Sequence, residues 1–88
     1  MTILCSELYE KQLKDILAQG LQENVEETKK FKMYLDTVII NLPTKVQKYK
    51  KSRYFDDENI KDIEFQGFVI PFYIDKEKQR YVLLGITN

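Results

Sequence analysis

The chain has no histidine and no tryptophan, and its single cysteine is Cys5. With no imidazole and one thiol, a His/Cys metal centre has nothing to be built from, and no internal disulfide can form. Neither a metal nor another cofactor is therefore expected. The missing histidine also removes the commonest general base near neutral pH, so any proton transfer would fall to Lys, Arg, Tyr or carboxylates. Cys5, with no histidine to activate it, reads as a small buried side chain in a first strand. Glycine (three) and proline (two) are scarce, no repeat or low-complexity tract is present, and 43% of the 88 residues are hydrophobic. That composition describes one globular domain over residues 1–88 with a modest core. No stretch approaches the roughly 20 apolar residues of a membrane span. The start Met1-Thr2-Ile3-Leu4-Cys5-Ser6-Glu7 lacks the basic region and long apolar run of a secretory signal. The expectation is a cytoplasmic protein without a membrane partner.

Charge of neither sign is in excess: 14 Lys and Arg balance 14 Asp and Glu. The distribution is uneven. Residues 1–28 hold two lysines against six carboxylates, residues 29–53 hold seven lysines and Arg53 against Asp36 alone, and residues 54–88 are acidic again. A basic middle thus lies between acidic ends.

Thr2 to Cys5 reads as a short strand. Ser6 then caps a helix whose first turn carries Glu7 and Glu10, as the helix dipole prefers. Tyr9, Leu13, Ile16, Leu17 and Leu21 recur at helical spacing, and Gly20 predicts a stop near residue 19. Asn24 with Glu27 three residues on is the start of a second helix. Phe31, Tyr34, Leu35, Val38, Ile39 and Leu42 follow in an i, i+3, i+4, i+7, i+8, i+11 pattern. The short connection predicts an antiparallel helical hairpin, ended by Pro43. Residues 44–59 show neither period and read as a charged connection with a helical turn around Lys45 to Tyr49.

Ile63 and Phe65 then alternate with Asp62 and Glu64, as in a half-exposed strand closed by Gly67. Phe68-Val69-Ile70-Pro71-Phe72-Tyr73-Ile74 is continuously apolar and reads as a strand covered on both faces, with a bulge or unpaired ladder position at Pro71. Asp75 to Gln79 is a polar hairpin loop, and Arg80 to Ile86 a last strand. The order β-α-α-β-β-β predicts an α+β fold, an antiparallel-rich sheet with a two-helix hairpin packed on one face.

Lys45, Lys48, Lys50, Lys51 and Arg53, interleaved with Tyr49 and Tyr54, combine phosphate attraction with stacking surfaces, as proteins that hold single-stranded nucleic acid do. The plainer reading is a solvated loop whose tyrosines cover the core edge, and Asp56-Asp57-Glu58 weakens the local field. Those carboxylates with Asp62 and Glu64 carry no spacing specific to a metal or an acid–base pair. Tyr9, Phe31 and Tyr34 read as core, with a groove for a partner helix as the alternative.

The run Ile60-Lys61-Asp62-Ile63-Glu64-Phe65-Gln66-Gly67-Phe68-Val69-Ile70-Pro71-Phe72-Tyr73-Ile74 resembles the strand, glycine, aromatic, strand pattern of the RelE/ParE toxin superfamily, the plasmid stabilisation proteins. Leu42-Pro43 and Val82-Leu83-Leu84-Gly85-Ile86 resemble it too. The resemblance implies a growth-inhibiting toxin of a type II toxin–antitoxin pair, held inactive by a cognate antitoxin, with no small-molecule substrate. RelE-like members cut messenger RNA on the ribosome; ParE-like members bind DNA gyrase. The nucleolytic branch carries an arginine two residues after this glycine, where this chain has Val69, and further Arg and Tyr residues in a C-terminal segment that would lie beyond Asn88. Lys61 is the one basic residue matching a functional position, and the corresponding strand position at Ile63 is apolar. The resemblance therefore implies a ParE-like protein without catalytic residues; the candidate target or antitoxin contacts are the patch Lys45, Lys48, Tyr49, Lys50, Lys51, Arg53 and Tyr54, together with Lys61, which the resemblance adds. A RelE-like ribonuclease using Lys61, Lys50, Lys51, Arg53 and tyrosines, and a non-toxic binding module, are the alternatives.

Overall fold

A computed structural model describes residues 1–88. The elements are β1 (Thr2–Cys5), α1 (Glu7–Glu23), α2 (Val25–Ile40), a one-turn α3 (Leu42–Lys45), a 3-10 turn (Val46–Lys48), β2 (Lys50–Lys51), β3 (Ile60–Phe65), β4 (Phe68–Asp75) and β5 (Arg80–Leu83). The strands form one sheet in the order β1-β5-β4-β3-β2. Only the β1–β5 pair is parallel, so the sheet is mixed and mainly antiparallel. The expected α+β architecture, with two long helices on one face of the sheet, is present.

Ser6 ties the first helix to the sheet. Its hydroxyl accepts from the Tyr9 backbone N–H at 3.0 Å as an N-cap and donates to the Leu84 carbonyl at 3.0 Å. Leu84 lies opposite Pro71, which has no N–H to offer that carbonyl, while the Leu84 N–H still reaches the Pro71 carbonyl at 2.8 Å. The ladder slips here: Phe72 pairs with Leu83, but Val69 pairs with Thr87, one residue late. The last strand therefore stops at Leu83 rather than Ile86, and a bulge follows opposite Pro71.

The first helix does not stop at Gly20. It continues to Glu23, and Asn24 alone joins it to the second; the Asn24 side chain accepts from the Glu27 N–H at 3.1 Å. Gly20 is there for proximity: a Cβ at this position would lie 2.5 Å from Thr28 Oγ1 on the opposing helix. The residue read as a stop is instead the contact that lets the hairpin close. Gly67 has the conformational role, with φ +85 beside Gln66 at φ 48, in the two-residue turn joining Phe65 to Phe68.

The core cluster comprises Tyr9, Leu35, Leu42, Ile63, Phe65, Ile70, Phe72, Tyr81, Leu83 and Ile86 on the helix side of the sheet; Ile60, opposite Tyr73, is buried on the other face. Phe31 packs on Phe65 and Phe68, with ring centres 5.3 and 5.5 Å away, while Tyr49 and Tyr81 meet Phe72 edge-on at 5.8 and 6.1 Å. Tyr9 and Phe31 are thus core residues, and Tyr34 is exposed on the outside of α2. β4 is covered on one face only. Ile70 and Phe72 are buried, whereas Val69, Pro71 and Tyr73 are half-buried on a face that carries no helix. Cys5 is exposed, because β1 is the outermost strand. Partial desolvation, then the Glu10 charge, raises its thiol above the ordinary value, which makes it a poorer nucleophile still.

Burial, then the negative charges of Cys5 and Asp36, push the Tyr9 hydroxyl from 10.0 to about 12. The fold favours the neutral phenol, so this contribution to stability is complete below pH 10 and is lost as pH rises toward 12. Urea midpoints measured across that window should fall more steeply for the native chain than for Tyr9→Phe. Parallel curves would remove Tyr9 as the cause.

Candidate functional site

The basic connection folds into a strip along the β2 edge of the sheet. In the β2–β3 ladder Lys50 pairs with Asp62 and Lys51 with Lys61. Directly opposed residues share a face, so Lys50 joins Asp62 and Glu64 on the open side while Lys51 and Lys61 point to the helix side. Arg53, just past β2, completes the open-side cluster. Its backbone N–H donates to Asp62 Oδ2 at 3.0 Å and its guanidinium to Glu64 Oε1 at 2.9 Å.

Lys48, Tyr49, Lys50, Lys51, Arg53, Asp62 and Glu64 line an open cleft of about 430 Å³. The Lys48 ammonium sits 5.7 Å from the centre of the Tyr49 ring, a cation–π pair. The Tyr49 ring closes the core edge against Phe72, and burial raises its hydroxyl above the ordinary tyrosine value. At neutral pH this phenol is a hydrogen-bond donor and not a base. Asp62 Oδ1 is buried without a partner, directly across the ladder from Lys50.

Five of the residues singled out from the sequence, Lys48, Tyr49, Lys50, Lys51 and Arg53, are therefore brought together. The other three are elsewhere. Lys45 is exposed at the end of α3, outside the cleft lining. Tyr54 is exposed beyond Arg53, whose guanidinium lies 5.9 Å from its ring centre, and it shares a shallow depression with Phe55 and Asp56. Lys61 does structural duty: on the helix side of β3, its ammonium donates to the Val46 carbonyl at 3.1 Å and pins the 3-10 turn to the sheet. Asp62 and Glu64 are the cleft residues that sequence reasoning missed as site members. Their alternation showed an exposed strand face, but only the β2 register puts that face beside Lys50 and Arg53.

Two of the four cations in the cleft are matched: the Arg53 guanidinium pairs with Glu64, and Lys51 reaches the fully exposed Asp56 at 3.4 Å, while Lys48 and Lys50 make no ion pair. With two of its cations paired, the cleft attracts phosphate more weakly than four free cations would. Val69 lies opposite Glu64 on the same open face, with Pro71 and Tyr73 further along the strand and Val82 and Leu4 across the sheet. Together they form an apolar strip of half-buried side chains that ends at the exposed Leu4.

No helix is long and apolar enough to cross a membrane. No protein-family model and no curated relative matches the chain. Among solved structures it is similar to the conserved hypothetical protein HP0892 from Helicobacter pylori, with a TM-score of 0.65 and 20% identity over 100% of this chain and 93% of that one. The two share one fold from end to end.

Proposed function

We propose that the chain is the toxin of a type II toxin–antitoxin pair, a RelE/ParE-like domain of the ParE-like kind. It works in the cytoplasm by docking on a macromolecular target, with DNA gyrase the first candidate, and is neutralised by a cognate antitoxin. One observation carries this reading. At Val69, where the nucleolytic relatives place a guanidinium, the open face is apolar, and the Arg53 guanidinium is already engaged by Glu64, the residue opposite Val69. A ribonuclease needs cations free to meet a developing phosphorane charge. The strip Leu4, Val82, Tyr73, Pro71 and Val69, bordered by the Lys50, Arg53, Asp62 and Glu64 charges, suits a protein partner better.

The RelE-like reading draws support from the convergence of Lys48, Lys50, Arg53 and Glu64 on one cleft, two of whose cations carry no ion pair. Two assays separate the readings. Purified protein added to a gyrase supercoiling reaction should inhibit it, while transcripts from a translating extract should keep their ends. Codon-phased cuts with unaffected gyrase would overturn the ParE-like reading in favour of the ribonuclease. Induced expression without growth arrest would leave only a binding module of the same fold.

A further inference from the structure

The two edges of the sheet are built differently. The β2 edge is two residues long and both are lysines, Lys50 and Lys51, with Arg53 close behind. Charge on a short edge strand is a common guard against pairing with another chain. The β1 edge has no such guard. Thr2-Ile3-Leu4-Cys5 carries no charge, proline or bulge, and Thr2, Leu4 and Cys5 are exposed. Met1 before it and Leu8 just after it are exposed as well, at 57% and 54%.

The backbone polarity of this edge follows from its parallel pairing with β5. The Thr2 N–H goes to the Gln79 carbonyl at 3.2 Å and the Ser6 N–H to the Leu83 carbonyl at 2.9 Å. By the alternation of a ladder, Thr2, Leu4 and Ser6 direct their backbone groups inward to β5. Ile3 and Cys5 then direct theirs outward, where no strand meets them.

We propose that β1 is a self-association edge and that its occupant is β1 of a second copy of this chain, antiparallel across a two-fold axis. Ile3 of each copy faces Cys5 of the other, in the register that keeps both hydrogen-bonded pairs within the strands. Each pair exchanges two backbone bonds, which satisfies the outward N–H and C=O groups of Ile3 and Cys5 in both chains. Leu4 then lies on the axis in a non-hydrogen-bonded pair, with its Cα about 4.5 Å from its symmetry mate. The two leucines meet on the open face, and the apolar strip described above runs unbroken from one copy into the other. The short edge makes this a concentration-dependent dimer, at the weak end of specific interfaces.

Sedimentation of the native chain from about 1 µM to 500 µM should show the mass rising from 10.5 kDa towards twice that value. Leu4→Lys puts like charges opposite each other on the axis and should remain monomeric throughout. Leu4 is exposed, so circular dichroism should show the same fold. The register is tested separately in a Cys5→Ser background. Leu4→Cys should cross-link rapidly with mild oxidant, because directly opposed Cα atoms fall in disulfide range. Thr2→Cys, which faces Ser6 of the other copy, should not. A native chain that stays monomeric over the whole range, or a Leu4→Lys chain that still dimerises, overturns the proposal. So does cross-linking at Thr2 in preference to Leu4.

Discussion

Phe72→Ala is expected to destabilise the protein by about 3–5 kcal/mol, whereas Tyr73→Ala, one residue along the same strand, should cost about 1 kcal/mol or less. The contrast follows from the one-sided sheet. Phe72 is fully buried against the edges of Tyr49 and Tyr81, and its deletion leaves a hole that the surrounding β3, β5 and helix side chains cannot collapse to fill. Tyr73 is half-buried on the open face, where water or a partner can occupy the space it vacates. A chain of 88 residues has roughly 4–13 kcal/mol of stability in all, so the Phe72 variant stands near or past the point of unfolding. Urea titrations of both variants decide the matter. Equal losses would mean that the second face of β4 is packed as tightly as the first, and the apolar strip would then be no docking surface.

That strip is also where the sequence misleads. Seven apolar residues from Phe68 to Ile74 look like a strand sandwiched between layers, because one-dimensional hydropathy does not distinguish a second layer from an exposed apolar face awaiting a partner. Where periodicity is local it reads true: the α2 spacing from Phe31 to Ile39 places Leu35 in the core, although the helix ends at Ile40 rather than at Pro43, and Leu42 and Pro43 open the separate turn α3. Even there Tyr34 escapes, since the stripe is wider than the surface that covers it. Gly20 failed as a stop signal because glycine serves both helix ends and close helix contacts, and only Thr28 across the hairpin decides between them. β2 was invisible because two lysines carry no strand signature. They pair because β3 offers an edge, which is a tertiary cause. Cys5 reads as buried from its residue type, yet its exposure follows from parallel pairing to β5 at the far end of the chain, which makes β1 an edge strand.

The candidate site divides the same way. Lys48, Tyr49, Lys50, Lys51 and Arg53 lie close together in the chain and could be grouped on sight, whereas the placing of Asp62 and Glu64 beside them depends on cross-strand register. Lys61 shows the cost of judging a residue by type alone. It belongs to the same strand as Asp62, but the two-residue period turns it to the opposite face, where it fastens Val46.

Ser6→Ala should cost about 2–3 kcal/mol, more than an exposed cap is worth, because one hydroxyl serves two backbone groups that have no substitute. As an acceptor it satisfies the Tyr9 N–H in the first turn of α1, a contribution of about 1 kcal/mol. As a donor it satisfies the Leu84 carbonyl that Pro71 leaves bare, and losing a part-buried partner of that kind adds about 1–2 kcal/mol. The two roles can be separated. Restoring an N–H at position 71 with Pro71→Ala offers the Leu84 carbonyl a second donor, so the penalty of Ser6→Ala should shrink to the capping part in that background. A double-mutant cycle from urea unfolding measures this directly. Additive effects would show that the Ser6 hydroxyl and the Pro71 gap are unrelated, and that the bulge after Leu83 arises from some other cause than the missing donor of Pro71.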